Sequence, residues 1–177
     1  STNGGNSWEQ INRGLPSVTA YDIELSPDFT TDTIVFAATS NGLYRSNDGG
    51  ESWEKSSSGI AAPVVNAVAF SPAFSSDSTL FAGTTGEGAF RSTDGGKSWH
   101  RVRGGLTGEF VWSLAISPAF SSDSTLFAGT IGDGIFRSTD AGDSWERASP
   151  AVRVIPSATG SETESIRGLA ISPTFSK

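Results

Sequence analysis

Ser92-Thr-Asp-Gly-Gly-Lys-Ser-Trp99 is the stretch that decides the fold, because the chain writes it four times. It stands upstream as Ser1-Thr-Asn-Gly-Gly-Asn-Ser-Trp8 and Ser46-Asn-Asp-Gly-Gly-Glu-Ser-Trp53, and downstream as Ser138-Thr-Asp-Ala-Gly-Asp-Ser-Trp145. The tryptophans are 45, 46 and 46 residues apart. A fixed period of this length marks a repeat architecture, in which one small unit buries its apolar face only against copies of itself.

Working outward, two further elements keep the same beat. Leu25-Ser-Pro27, Phe70-Ser-Pro72, Ile116-Ser-Pro118 and Ile171-Ser-Pro173 form one series, and Thr33-Ile-Val-Phe36, Ser78-Thr-Leu-Phe81 and Ser124-Thr-Leu-Phe127 the other. Residues 115–130 match 69–84 at every position except Ile116 for Phe70. In the second copy the turn signals bound four short strands, near Val65–Ser71, Thr79–Thr84, Gly88–Ser92 and Ser98–Val102. Four antiparallel strands in such a period is the size of a β-propeller blade. The expected fold is therefore all-β: a partial blade over 1–15, complete blades over 16–57, 58–104 and 105–148, an insertion over 149–165 and a partial blade over 166–177. One strand, twelve and one make fourteen, and a propeller ring needs four to eight blades. The expectation is a segment of a ring of six to eight blades, closed by further blades or by self-association.

Composition agrees and excludes several classes. The 177 residues include 21 glycines and 36% hydrophobic residues, as in a turn-rich β protein, and no window keeps a 3.6-residue apolar period long enough for a long helix. Net charge is −7, and the 12 basic residues are scattered, so no basic face offers itself to nucleic acid or an anionic membrane. No apolar run approaches a membrane span and no signal peptide pattern is present, so no membrane insertion is expected. With no cysteine and His100 as the single histidine, neither a thiolate nor a multi-histidine metal site can form, and no metal or cofactor is expected.

The repeated motif reads as a fold device. Gly50, Gly96 and Gly142 suit the positive φ of a tight hairpin, and Asp48, Asp94 and Asp140 suit acceptors for backbone N–H groups in the turn. Trp53, Trp99 and Trp145 then carry a ring between blades, which removes ~150–250 Å² from water, worth about 4–6 kcal/mol before entropy. A calcium loop needs several alternating acids and a closing Glu, whereas each box has one Asp and at most one further acid, such as Glu51 or Asp143.

The pattern resembles the Asp-box, or bacterial neuraminidase repeat, found in sialidases, two-propeller xyloglucanases, sortilin-type receptors and a photosystem II assembly factor. The resemblance covers nearly the whole chain. It implies a propeller whose boxes lie away from any active face, so Asp94 and Asp140 are structural. The first box departs with Asn3 in place of Asp, although Trp8 is kept, and the fourth has Ala141 in place of Gly.

Positions that vary between copies are the candidate ligand contacts. The residue near the start of the first strand is Tyr21, Asn66, Trp112 and Arg167 in turn, a set of aromatics, an amide and a guanidinium that suits a sugar or a peptide. Asp22 and Glu24 stand where other copies have Ala, Ser or Gly, either on an exposed edge or facing a cation. Arg153 in the insertion is a further candidate; Arg153-Val-Ile-Pro156 resembles the Arg-Ile-Pro element of sialidases only in part. For catalysis, Glu87 and Asp133, at equivalent turns of adjacent blades, are the weak candidates for a glycosidase pair. Arg45, Arg91 and Arg137 repeat with the blades, unlike a convergent triad. The expected function is a non-catalytic binding or scaffold propeller, extracellular or at the cell surface, with a glycan or protein partner; the alternative is part of a glycoside hydrolase.

Overall fold

The computed structural model describes residues 1, 3–148 and 166–175. Its strands form three four-stranded antiparallel sheets, each built from consecutive strands. The first blade holds β1 (Ala20–Leu25), β2 (Val35–Thr39), β3 (Gly42–Ser46) and β4 (Glu54–Lys55). The second holds β5 (Val65–Phe70), β6 (Leu80–Thr84), β7 (Ala89–Ser92) and β8 (His100–Val102). The third holds β9 (Val111–Ile116), β10 (Leu126–Thr130), β11 (Ile135–Ser138) and β12 (Glu146–Arg147). Apolar residues alternate with small ones along the inner strands, so both sheet faces can be covered by neighbouring blades.

A device not foreseen from the sequence joins the first and second strands of each blade. α1 (Phe29–Asp32), α2 (Phe74–Asp77) and α3 (Phe120–Asp123) are single helical turns, each ended by a residue in the left-handed conformation. The Ser-Pro series explains them. Ser71 Oγ donates to Asp77 at 2.6 Å and accepts from the Ala73 amide, and Asp77 accepts in turn from the Thr79 amide. Ser26–Asp32 and Ser117–Asp123 repeat the arrangement.

Blades are joined face to face. Phe36, Ala38 and Leu43 of the first blade share one core with Val65, Val68, Phe74, Leu80 and Trp99 of the second. Phe81 and Ala89 of the second pack in the same way on Val111, Phe120, Leu126, Phe136 and Trp145 of the third. The Phe36 ring meets Trp99 edge-on at 6.5 Å. Arginine side chains span the outer part of the seam: Arg45 Nη1 donates to Gly95 O and Arg91 Nη1 to Ala141 O, both at 2.8 Å.

The boxes are built as expected. Asp94 Oδ1 accepts from the Ser98 amide at 2.9 Å, its Oδ2 from the Ser98 hydroxyl, and Ser92 Oγ accepts from Gly96 N. Gly50, Gly96 and Gly142 have φ of 97, 86 and 91°. Asn3 makes the first box with an amide instead: its Oδ1 accepts from Ser7 N at 3.0 Å and its Nδ2 donates to Ser7 Oγ. One expectation is corrected. Among the described residues there are twelve strands and not fourteen, because a fourth strand pairs only with its own third, and a first only with its own second. Residues 8–15 and 166–171 lack those partners, although both ends dock on the neighbouring blade. For the same reason Trp8 is 82% exposed, whereas Trp53, Trp99 and Trp145 are buried.

Candidate functional site

The variable position turns out to be a β-bulge. In β1 the register shifts between Ala20 and Asp22, in β5 between Val65 and Ala67, and in β9 between Val111 and Ser113. Tyr21, Asn66 and Trp112 are the extra residues. A bulge adds a residue with no opposite number and re-aims its side chain, so a site tied to it can vary without disturbing the ladder.

The innermost strands lie side by side, β5 between β1 and β9. Tyr21 and Trp112 nevertheless meet across β5, with ring centroids 6.3 Å apart at 72°. The Arg167 guanidinium lies over the Trp112 ring at 5.0 Å. Three of the four residues at the variable position thus form one cluster at a common end of the inner strands. Tyr21 is 44% exposed. Trp112 Nε1 is buried without a hydrogen-bond acceptor. Edge-on aromatic contact and a cation over an indole are each worth about 0.5–1.5 kcal/mol.

Asn66 is placed differently. It is buried, and its Nδ2 donates to Thr85 Oγ1 at 3.0 Å and to Val111 O at 2.9 Å, so its amide ties the second blade to the third. Arg153 lies outside the described residues.

Asp22 has a backbone role. Its Oδ2 accepts from the Val68 amide of the next blade at 3.0 Å. Burial raises its pKa, partly offset by hydrogen bonds from the Val68 and Ile23 amides. Glu24 lines a cavity of about 430 Å³ with Ala69, Ala115 and Ala170, its counterparts in the other copies. Crowding by these strands, and next the Asp22 charge, push its carboxyl up to about 7.

The two weak catalytic candidates are each engaged in their own surroundings. Glu87 Oε2 accepts from the Ala62 amide at 3.1 Å, and Asp133 Oδ1 pairs with Arg147 at 3.3 Å. Among the described residues no three acidic or histidine side chains converge as a metal site would require.

One signal was missed at the seams. Gly14, Gly59 and Gly105 keep the blade period, with φ of 86, 94 and 83°. A Cβ on Gly59 would lie 2.2 Å from Trp99 O, and one on Gly14 2.1 Å from Trp53 O. Beside each glycine the chain bonds to the next box: the Trp53 amide donates to Arg13 O and the Trp99 amide to Ser58 O. The spacing of these glycines was readable in the sequence.

Residues 1–154 match the family model described as Photosynthesis system II assembly factor YCF48. Among solved structures, an ancestral GH74 enzyme is 25% identical with a TM-score of 0.61, covering 78% of this chain and 19% of that one. YCF48 bound to D1 peptide is 20% identical with a TM-score of 0.53, covering 82% of this chain and 45% of that one. YCF48 from Cyanidioschyzon merolae is 24% identical with a TM-score of 0.53, covering 73% and 36%. This chain therefore spans less than half the length of each. No curated protein sequence matches it at a significant level.

Proposed function

The chain belongs to the Photosynthesis system II assembly factor YCF48 family of repeat propellers, and from that premise we propose that it is a non-catalytic binding module which takes a protein segment at the mouth of its inner strands. The observation that carries this is the Tyr21–Trp112–Arg167 cluster. Two aromatic rings offer flat apolar surface at low entropic cost, and the guanidinium held over one of them places a positive charge at the mouth. Tyr, Trp and Arg are also the residue types that dominate binding hot spots. The likeness to a YCF48 bound to a D1 peptide supports a peptide as the ligand class.

An array of short peptides probed with the purified chain tests the reading. Trp112→Ala and Tyr21→Ala should weaken the best binder by about 10–100-fold while leaving the unfolding transition cooperative. Retention of full affinity in both variants would contradict the proposal.

The likeness to a GH74 enzyme favours a second reading, part of a glycoside hydrolase with a carbohydrate ligand. Under it, xyloglucan would bind at the same mouth and Glu87→Gln or Asp133→Asn would abolish turnover. Engagement of both carboxylates within their own surroundings favours the first reading.

A further inference from the structure

Each blade places an arginine in its third strand, one residue before the box: Arg45, Arg91 and Arg137. Two of the three are matched by a carboxylate. Arg91 Nη1 lies 3.0 Å from Asp143 Oδ1, in the box of the next blade. Arg137 Nε donates at 3.1 Å to Glu146 Oε1, across its own hairpin. Arg45 has neither partner. Lys97 stands at the box position of Asp143, and Glu54, the counterpart of Glu146, forms no ion pair with Arg45 among the described residues. Arg45 keeps the bond from Nη1 to Gly95 O and lies over the Phe36 ring at 5.9 Å, but its Nε is buried with no acceptor. A buried donor of a charged group left unmatched is costly, so the exception calls for a partner.

The surroundings of Arg45 define what that partner is. A cavity of about 270 Å³ lies between the first and second blades, lined among others by Arg45, Asn47, Glu54, Lys55, Ser58 and Lys97. Three cations face one carboxylate there, an excess of two positive charges. Lys55, Ser58 and Lys97 are exposed, so an ion reaches them from solvent. Neither lysine forms an ion pair among the described residues. A phosphate group carries about −1.5 to −2 near neutral pH and several acceptor oxygens, which matches that excess, whereas a carboxylate neutralises only half of it. The cavity has room for such a group and a few waters at ~30 Å³ each.

We propose that the seam between the first and second blades is a binding site for a phosphate group, free or as a monoester, held by Arg45, Lys55 and Lys97. The anion stands in for the carboxylate that Asp143 brings to Arg91 in the second seam. Arg45 and Lys55 come from the first blade and Lys97 from the second, so the bound group also ties the two blades together. The site lies among the outer strands, apart from the Trp112 mouth at the inner ones.

The test titrates inorganic phosphate into labelled protein near neutral pH, with sodium chloride holding the ionic strength constant so that screening does not change. The Arg45 Nε–H resonance should shift to saturation while that of Arg91, already paired, stays in place. Sodium acetate in the same range should bind about tenfold more weakly, since it brings one charge. Lys97→Asp gives the first seam the charge pattern of the second, and Glu51 and Asp143 show that the box takes an acid there. This variant should unfold cooperatively at the parent's midpoint or above and lose phosphate affinity by about tenfold or more. Lys55→Gln should weaken binding in the same direction by a smaller factor. Phenyl phosphate distinguishes the sources: a response equal to that of inorganic phosphate supports a monoester ligand, and a response to inorganic phosphate alone supports the free ion. A linear shift without saturation, an equal shift at Arg91, acetate binding as tight as phosphate, or full affinity in Lys97→Asp would each overturn the proposal. None of these readouts depends on the peptide site.

Discussion

Ala141 adopts φ 58°, in the left-handed region that glycine occupies at Gly49 and Gly95 of the neighbouring boxes. A Cβ there costs about 1 kcal/mol or more, while glycine loses somewhat more entropy on folding. Ala141→Gly should therefore stabilise the chain by about 0.5–1 kcal/mol in denaturant unfolding. Glu24 gives a pH signature. Its carboxyl rises from 4.5 to about 7 in the folded state, so between these values the folded chain keeps a proton the unfolded chain has lost. Stability should fall as pH rises through that window and level off above it. Glu24→Gln should flatten most of the slope, leaving the smaller part due to Asp22 in unfolding midpoints measured between pH 4 and 8. The boxes work in the opposite sense. Burial opposes ionisation of Asp94, but hydrogen bonds from Ser98 and Ser92 outweigh it and hold the carboxyl at about 2. Its contribution is present above 3.8 and lost as the pH falls toward 2, and Asp94→Asn should remove that part of the acid transition.

At the scale of elements, the seams carry the stability. A strand pair or a lone blade leaves its faces wet, and what closes them is the phenylalanine of one blade set against the tryptophan and glycine of the next. Phe36→Ala should cost about 3–5 kcal/mol, as large-to-small changes in packed cores do. Gly59→Ala tests the backbone half of the seam. The added methyl would meet Trp99 O at 2.2 Å on a residue with φ 94°, so the two blades must separate or the turn must rebuild. The loss should reach about 3 kcal/mol in urea unfolding. A loss below about 1 kcal/mol would mean that the seam gives way more easily than its geometry implies.

For the whole molecule, the period of the boxes made the architecture legible. Strand number per blade, the hairpin glycines and the acceptor role of the Asp residues all follow from one unit repeated, and the sheets realise them. The candidate site was legible only in part. Variation among copies pointed to Tyr21, Asn66, Trp112 and Arg167, but the bulge that displaces the first three depends on pairing register, which no local pattern reveals. Burial of Asn66 against Val111 O depends on how closely two blades approach, and so does the contact of Tyr21 with Trp112 across β5. Asp22 looked like a surface charge because its partner is a backbone amide of another blade. The helical turns after the Ser-Pro series were missed because each is only four residues long.

The proposed peptide site centres on the Trp112 mouth, and the indole N–H resonances of the five tryptophans report on it separately. With the best binder from the peptide array titrated into labelled protein, Trp112 should shift progressively while Trp53, Trp99 and Trp145, buried in the seams, stay in place. A bound peptide that leaves Trp112 unmoved, or shifts only the seam tryptophans, would contradict the account.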